Sequence, residues 1–116
     1  MSREIKFRAW DKINNKMYPI AGISFTNKDT WLQINEKQIM GANFKEIEIM
    51  QYVGLKDKNN KEIYEGDIVK IDETEDIDVV KWSDGKEFCI GFGLFSCFEY
   101  EVLGNVYENP ELLREV

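Results

Sequence analysis

Five carboxylates fall within seven residues: Asp72, Glu73, Glu75, Asp76 and Asp78. Hard divalent cations take clustered oxygen ligands, so this stretch is a candidate cation site. An EF-hand loop would need its turn glycine and a closing Glu in register, and the stretch has neither. A solvated hairpin tip between Ile68–Ile71 and Ile77–Trp82 accounts for the same residues, and an acidic surface imitating DNA phosphate is a third reading. A second carboxylate pair brackets a glycine in Glu65-Gly66-Asp67. Paired carboxylates serve glycoside hydrolysis when a cleft holds them at a set separation. A chain this short offers little room for one, and turn chemistry reads better: Gly66 supplies a positive φ and Asp67 bonds the turn backbone.

Other chemistry is excluded by residue type. The chain has no histidine, so a Ser-His-Asp triad, a Cys-His pair and an HExxH metal site are all impossible. Its two cysteines, Cys89 and Cys97, form no CxxC and have no partner pair, which argues against a zinc site or a thioredoxin-type motif. They face each other if Phe88–Phe92 and Phe95–Phe98 pair as a hairpin; otherwise they are free thiols in a reducing compartment. Gly91-Phe92-Gly93 lacks the spacing and following helix of a dinucleotide loop. No catalytic, cofactor-binding or metal-ligating residue is therefore assigned, and no cofactor is expected.

What remains is binding. The segment 1–54 carries eight Lys and Arg against six Asp and Glu, a net +2. The segment 55–116 carries seven against sixteen, a net −9. The acidic half repels phosphate backbones. The basic edge near the start places Arg3, Lys6 and Arg8 beside Trp10 on the charged face of an alternating strand. These four residues are the candidate interaction surface; Trp10 has the best claim to exposure among Trp10, Trp31 and Trp82, while core or subunit-interface packing is the stronger reading of all three. Small β domains use such aromatics to stack bases or to clamp peptides.

The elements that position these residues are strands and turns. Ile5–Trp10 alternates apolar and polar residues, as a half-buried strand does. Asn14-Asn15 makes a turn, and Met17–Phe25 returns as a strand that Pro19 makes edge-like or irregular. Trp31–Ile34 and Glu46–Tyr52 are further strands, while Asn35–Lys45 reads equally as loop or helical turn. Asn59-Asn60 and Glu65-Gly66-Asp67 are two closely spaced turns around Ile63. Asp84-Gly85 is the turn of a hairpin joining Ile77–Trp82 to Glu87–Phe92. Tyr100–Tyr107 is a strand kinked at Gly104. Asn109-Pro110-Glu111 opens a short C-terminal helix, with Asn as cap and Pro at the first position. The fold class is mainly β: an N-terminal β-hairpin module, residues 1–50, packed with a C-terminal SH3-like small barrel, residues 51–116, or both as one continuous domain. No apolar run approaches the ~20 residues of a membrane span, and the start has no apolar signal region.

Three long stretches carry a resemblance. Phe7-Arg8-Ala9-Trp10-Asp11 lies near the start. Gln51–Asp57 leads into Lys61–Val69 in the middle, and Val102–Leu113 stands near the end. With them the chain resembles the YopX family over its whole length. Asn60 stands where the family usually has glycine, and Asn tolerates the same left-handed backbone. The resemblance implies a small protein encoded by phages and prophages of bacteria, with an SH3-like C-terminal part, and it implies no activity.

The leading expectation is a non-catalytic phage accessory protein in the bacterial cytoplasm. It would bind an unidentified host or phage protein, or associate with itself through its oppositely charged halves. A nucleic-acid-binding small barrel is the alternative, and a metal-dependent hydrolase at Asp72–Asp78 the second. No membrane partner is expected.

Overall fold

Hydrogen-bonded antiparallel strands carry almost every element of this chain. A computed structural model describes the backbone of residues 5–82, 88–90, 93–94 and 99–113, and the side chains of 5–81 and 99–113. The residues divide into two units, Ile5–Gln51 and the stretch from Tyr52 onward. The described residues contain no α-helix, and none of their helical turns is long and apolar enough to cross a membrane.

The first unit is a meander of β1 (Phe7–Asp11), β2 (Lys16–Ser24), β3 (Asp29–Asn35) and β4 (Gln38–Asn43). A 3-10 turn, Phe44–Glu46, then leads into β5 (Ile47–Lys56). The strands lie in the order β4-β3-β2-β1-β5, so β4 is an edge and β1 lies between β2 and β5. One face is apolar: Ala9, Leu32 and Ile47 are buried, with Tyr18, Ile20, Ile34, Met40, Ala42 and Ile49 packed against them. The ambiguous stretch Asn35–Lys45 is mostly strand β4. Its alternation of Ile39, Gly41 and Asn43 with Met40 and Ala42 is weak because only one face is buried.

Two devices set the geometry of this unit. Asp11 closes the β1–β2 turn: its Oδ1 accepts the N–H of Ile13 (2.9 Å) and of Asn14 (3.2 Å), and its Oδ2 accepts Asn14 Nδ2 (2.8 Å). Asn15 then takes the left-handed backbone, φ 56°, which Asn tolerates at small cost. The second device is a bulge in β2. Ile20 pairs with Leu32, but Gly22 pairs with Trp31, so two steps on β2 match one on β3. The extra residue reverses the alternation, so Gly22 lies on the face opposite Ile20. The strand of Pro19 is irregular, as Pro19 predicts, but interior rather than an edge. It tolerates the missing N–H because the β2–β3 ladder begins only at Ile20.

The second unit is built around β7 (Asp67–Ile71), which lies between β12 (Tyr100–Asn105) and β8 (Ile77–Val79). The later half of β5 pairs with β6 (Glu62–Tyr64), Tyr52 opposite Tyr64 and Lys56 opposite Glu62. Gly54, at φ 90°, absorbs the irregularity between those pairs. Three short strands, β9 (Lys81–Trp82), β10 (Phe88–Ile90) and β11 (Gly93–Leu94), form a small sheet in the order β11-β10-β9. The core holds Val53, Ile63, Val69, Val80 and Tyr100, with Ile71 and Val102 against them. Where the sequence predicts a short C-terminal helix, the described residues hold one 3-10 turn, Pro110–Leu113.

Candidate functional site

The predicted surface around Trp10 is not a stacking platform. Trp10 is buried at 9% exposure, and Ala9 and Asp11 beside it are buried too. Alternation alone puts Trp10 on the polar face of its strand, but β1 is interior and both its faces are covered there. Lys6 and Arg8 are half-buried, and Arg3 lies outside the described residues. This removes the aromatic on which a nucleic-acid contact at that edge depends.

The predicted turn residues hold structure. Asn59 and Asn60 form the turn between β5 and β6, with Asn60 at φ 67°; Gly66 has φ 88°. Asp67 is buried at 1% exposure, and its Oδ2 accepts the N–H of Tyr64 (2.8 Å). Asp84 and Gly85 lie outside the described residues. In the acidic stretch Glu73, Glu75 and Asp76 are exposed at the tip between β7 and β8, with Glu75 at φ 62°, whereas Asp72 is half-buried and accepts from Lys58 Nζ (3.2 Å). Among the described residues no group of three or more carboxylates or thiols has the spacing to hold a metal ion. Cys89 is opposite Leu94 in the β10–β11 ladder, and Cys97, with the segment 95–98 on which its facing of Cys89 depends, lies outside the described residues.

One group that sequence reading passes over organises the second unit. Asp57 is 7% exposed, and its carboxylate accepts three backbone N–H groups. Oδ1 takes those of Asn59 (2.9 Å) and Lys61 (2.8 Å), and Oδ2 takes that of Val102 (2.9 Å), 45 residues away in sequence. The neighbouring Lys58 N–H donates to the Tyr100 carbonyl (2.9 Å). Burial alone would raise the pKa of Asp57. The N–H donors of Val102, Lys61 and Asn59 and the charge of Lys61 outweigh it, holding the carboxyl below its ordinary value. This is a structural clamp of β12 onto the β5–β6 turn, with no open face for a substrate.

The exposed aromatic lies elsewhere, on β3. Trp31 is 43% exposed and is flanked on both sides by glycine, Gly22 on β2 and Gly41 on β4. The two glycines differ. A Cβ at Gly22 would meet Trp31 Cε3 at 3.3 Å, so the indole leans over β2. A Cβ at Gly41 would meet nothing within 4 Å, and its φ is not in the left-handed region. The indole thus leaves an open cleft of about 340 Å³ on the β4 side, lined by Asp29, Thr30, Trp31, Gly41, Ala42, Asn43 and Glu46.

The β4 edge beside this cleft is open. Phe44 N–H donates to the Lys28 carbonyl (2.9 Å), and Thr30 Oγ1 donates to the Ala42 carbonyl (2.9 Å). Even-numbered residues of β4 therefore turn their backbone groups toward β3. By the alternation of antiparallel ladders, Ile39, Gly41 and Asn43 turn theirs outward. Asn43 N–H is taken by Glu46 Oε1 (2.8 Å) in a capping box. Ile39 and Gly41 have no outward partner among the described residues, and the Ile39 side chain is 57% exposed. The sequence does hold a signal for this site: a glycine in a strand where neither φ nor packing requires one.

The family model described as "YopX protein" matches residues 6–114. The crystal structure of protein EF1440 from Enterococcus faecalis is similar, with a TM-score of 0.70 and 29% identity, covering 97% of this chain and 99% of that one. No curated protein sequence matches.

Proposed function

This chain belongs to the YopX family, and we propose that it is a non-catalytic accessory protein of a phage or prophage that works by binding another protein. The observation that carries this reading is the β3–β4 surface. Trp31 and Ile39 are exposed beside a strand edge at which the outward N–H and C=O groups of Ile39 and Gly41 have no partner among the described residues. Unprotected edges recruit further strands, so natural proteins blunt them unless they are used. The bacterial cytoplasm is the setting we assign, and we read the second unit as an SH3-like small barrel, a scaffold suited to presenting contacts rather than enclosing a reaction.

Self-association is the form of this reading that the charge pattern favours, because a net +2 segment and a net −9 segment attract. Light scattering at low and at high salt tests it: concentration-dependent assembly that salt dissolves is expected, and a monomer at every concentration removes it. Affinity capture of tagged protein from infected host cells tests the wider reading. Trp31→Ala is expected to lose the captured protein, whereas capture unchanged by Trp31→Ala and by Ile39→Asp overturns the surface assignment.

A further inference from the structure

We infer that the open edge of β4 takes an extended peptide strand that carries an arginine opposite Gly41, its guanidinium stacked on Trp31 between the carboxylates of Asp29 and Glu46. This deepens the protein-binding reading and rests on it. Three independent features converge here. The first is the backbone: Ile39 and Gly41 present N–H and C=O outward, which is the template for strand addition. The second is Gly41 itself. An edge-strand glycine at ordinary φ, with open space where a Cβ would go, costs stability for no structural return. Its absence of a side chain keeps open the path between the edge and the indole.

The third feature is the chemistry of the cleft. Adjacent strands lie about 4.8 Å apart, so a residue opposite Gly41 has its Cα roughly 10 Å from that of Trp31, two strands away. Only a long side chain crosses that gap. It lies over Gly41, on the same face as Trp31, Asp29 and Asn43, since directly paired residues share a face. The cleft offers an aromatic surface on one side and the two carboxylates on its rim. Neither Asp29 nor Glu46 is in an ion pair with a described residue. A planar cation matches both: guanidinium stacks on an indole and pairs with a carboxylate in the same plane, and an ammonium does only part of this. A phosphate-bearing ligand is disfavoured by the same two carboxylates.

The experiment is a titration of the full chain, followed in ¹H–¹⁵N spectra. The probes are an acetylated, amidated Thr-Val-Arg-Val-Thr peptide, the same peptide with citrulline or Lys for Arg, and methyl β-glucoside as a sugar control. Saturable shifts of the Ile39 and Gly41 amides and of the Trp31 indole N–H are expected with the Arg peptide, at a roughly millimolar Kd for so short a strand. Citrulline, the neutral isostere, is expected to weaken binding about tenfold, and Lys less. Gly41→Val is expected to abolish the Trp31 shift, its spectrum itself reporting that the sheet is intact; Gly41→Ala serves where valine perturbs the edge. Asp29→Asn with Glu46→Gln is expected to weaken binding several-fold and remove its salt dependence. Equal binding of Arg and citrulline peptides, or indole shifts from the glucoside without any from the peptide, overturns the arginine assignment. No shift, or shifts confined to other residues, overturns the site. Shifts at other residues leave the protein-binding reading standing, and capture from cells judges that reading separately.

Discussion

Asp57 and Trp31 sit in environments that contrast at every level. Around Asp57, each polar group has a partner: three N–H donors converge on one buried carboxylate and tie β12 to a turn 45 residues earlier. Around Trp31, the outward backbone groups of Ile39 and Gly41 are open and the neighbouring carboxylates carry no ion pair among the described residues. The glycines repeat the contrast. A Cβ at Gly104 would collide with the Asn109 side chain, whose Cγ would stand at 2.6 Å, whereas a Cβ at Gly41 would meet open space. Residues of the same types thus serve closure in one unit and availability in the other.

The largest expected effect comes from breaking the closed region. Asp57→Ala leaves three N–H groups without their acceptor and is expected to cost about 4 kcal/mol, at roughly 1.5–3 kcal/mol per bond to a charged group with partial rescue by water. Urea unfolding checks it, and a loss below about 1 kcal/mol would show that the clamp is incidental. The same group shapes the acid limb. Its pKa is lowered on folding, so the stability it contributes is present above the unfolded value of about 3.9 and is lost as pH falls from there through the lowered folded value. Asp11, lowered despite its burial by bonds from Asn14 and Ile13, adds to that limb with the same sign. Unfolding midpoints measured across about pH 2 to 6 are expected to fall less steeply for Asp57→Asn than for the native chain. Gly104→Ala comes next, at about 2 kcal/mol, because Asn109 must leave its place beside the Asn105 N–H to admit a methyl group.

The architecture was legible where one signal decides it. Alternation in 5–10 and 46–52 marks strands, and Asn60 and Gly66 mark turns because left-handed backbone selects for such residues. Alternation puts Trp10 on the charged face of its strand and leaves its burial open, since a periodic pattern reports which residues share a face and says nothing of whether that face is covered. In the sequence Trp31 is one aromatic among three, because its exposure depends on the bulge that brings Gly22 beneath it and on β4 lying at an edge. Asp57 has no local signal of its own in the sequence, since its partner Val102 is far along the chain. Long-range partnership and edge position are properties of topology, which local spacing does not encode.

In the open region the effects on stability are small and those on binding large. Trp31→Ala removes a side chain that is only partly buried and is expected to cost about 1 kcal/mol, from the area it covers over Gly22. A loss of 3 kcal/mol or more would make Trp31 a core residue and dissolve the contrast with Asp57.

Gly41→Ala gives the smallest effect, and its sign is the most telling. Where native φ and local space both accept a side chain, replacing glycine lowers the entropy of the unfolded chain and stabilises the fold by about 0.4–1 kcal/mol. Gly41 meets both conditions, having ordinary φ and nothing within 4 Å of where a Cβ would stand. The variant is therefore expected to unfold at slightly higher urea, opposite in direction to Gly104→Ala, while binding the arginine peptide more weakly. A residue that improves folding when replaced and impairs binding is kept for the contact. If Gly41→Ala instead destabilises, the glycine serves the strand itself, and the open cleft beside Trp31 is a by-product of how β4 is built.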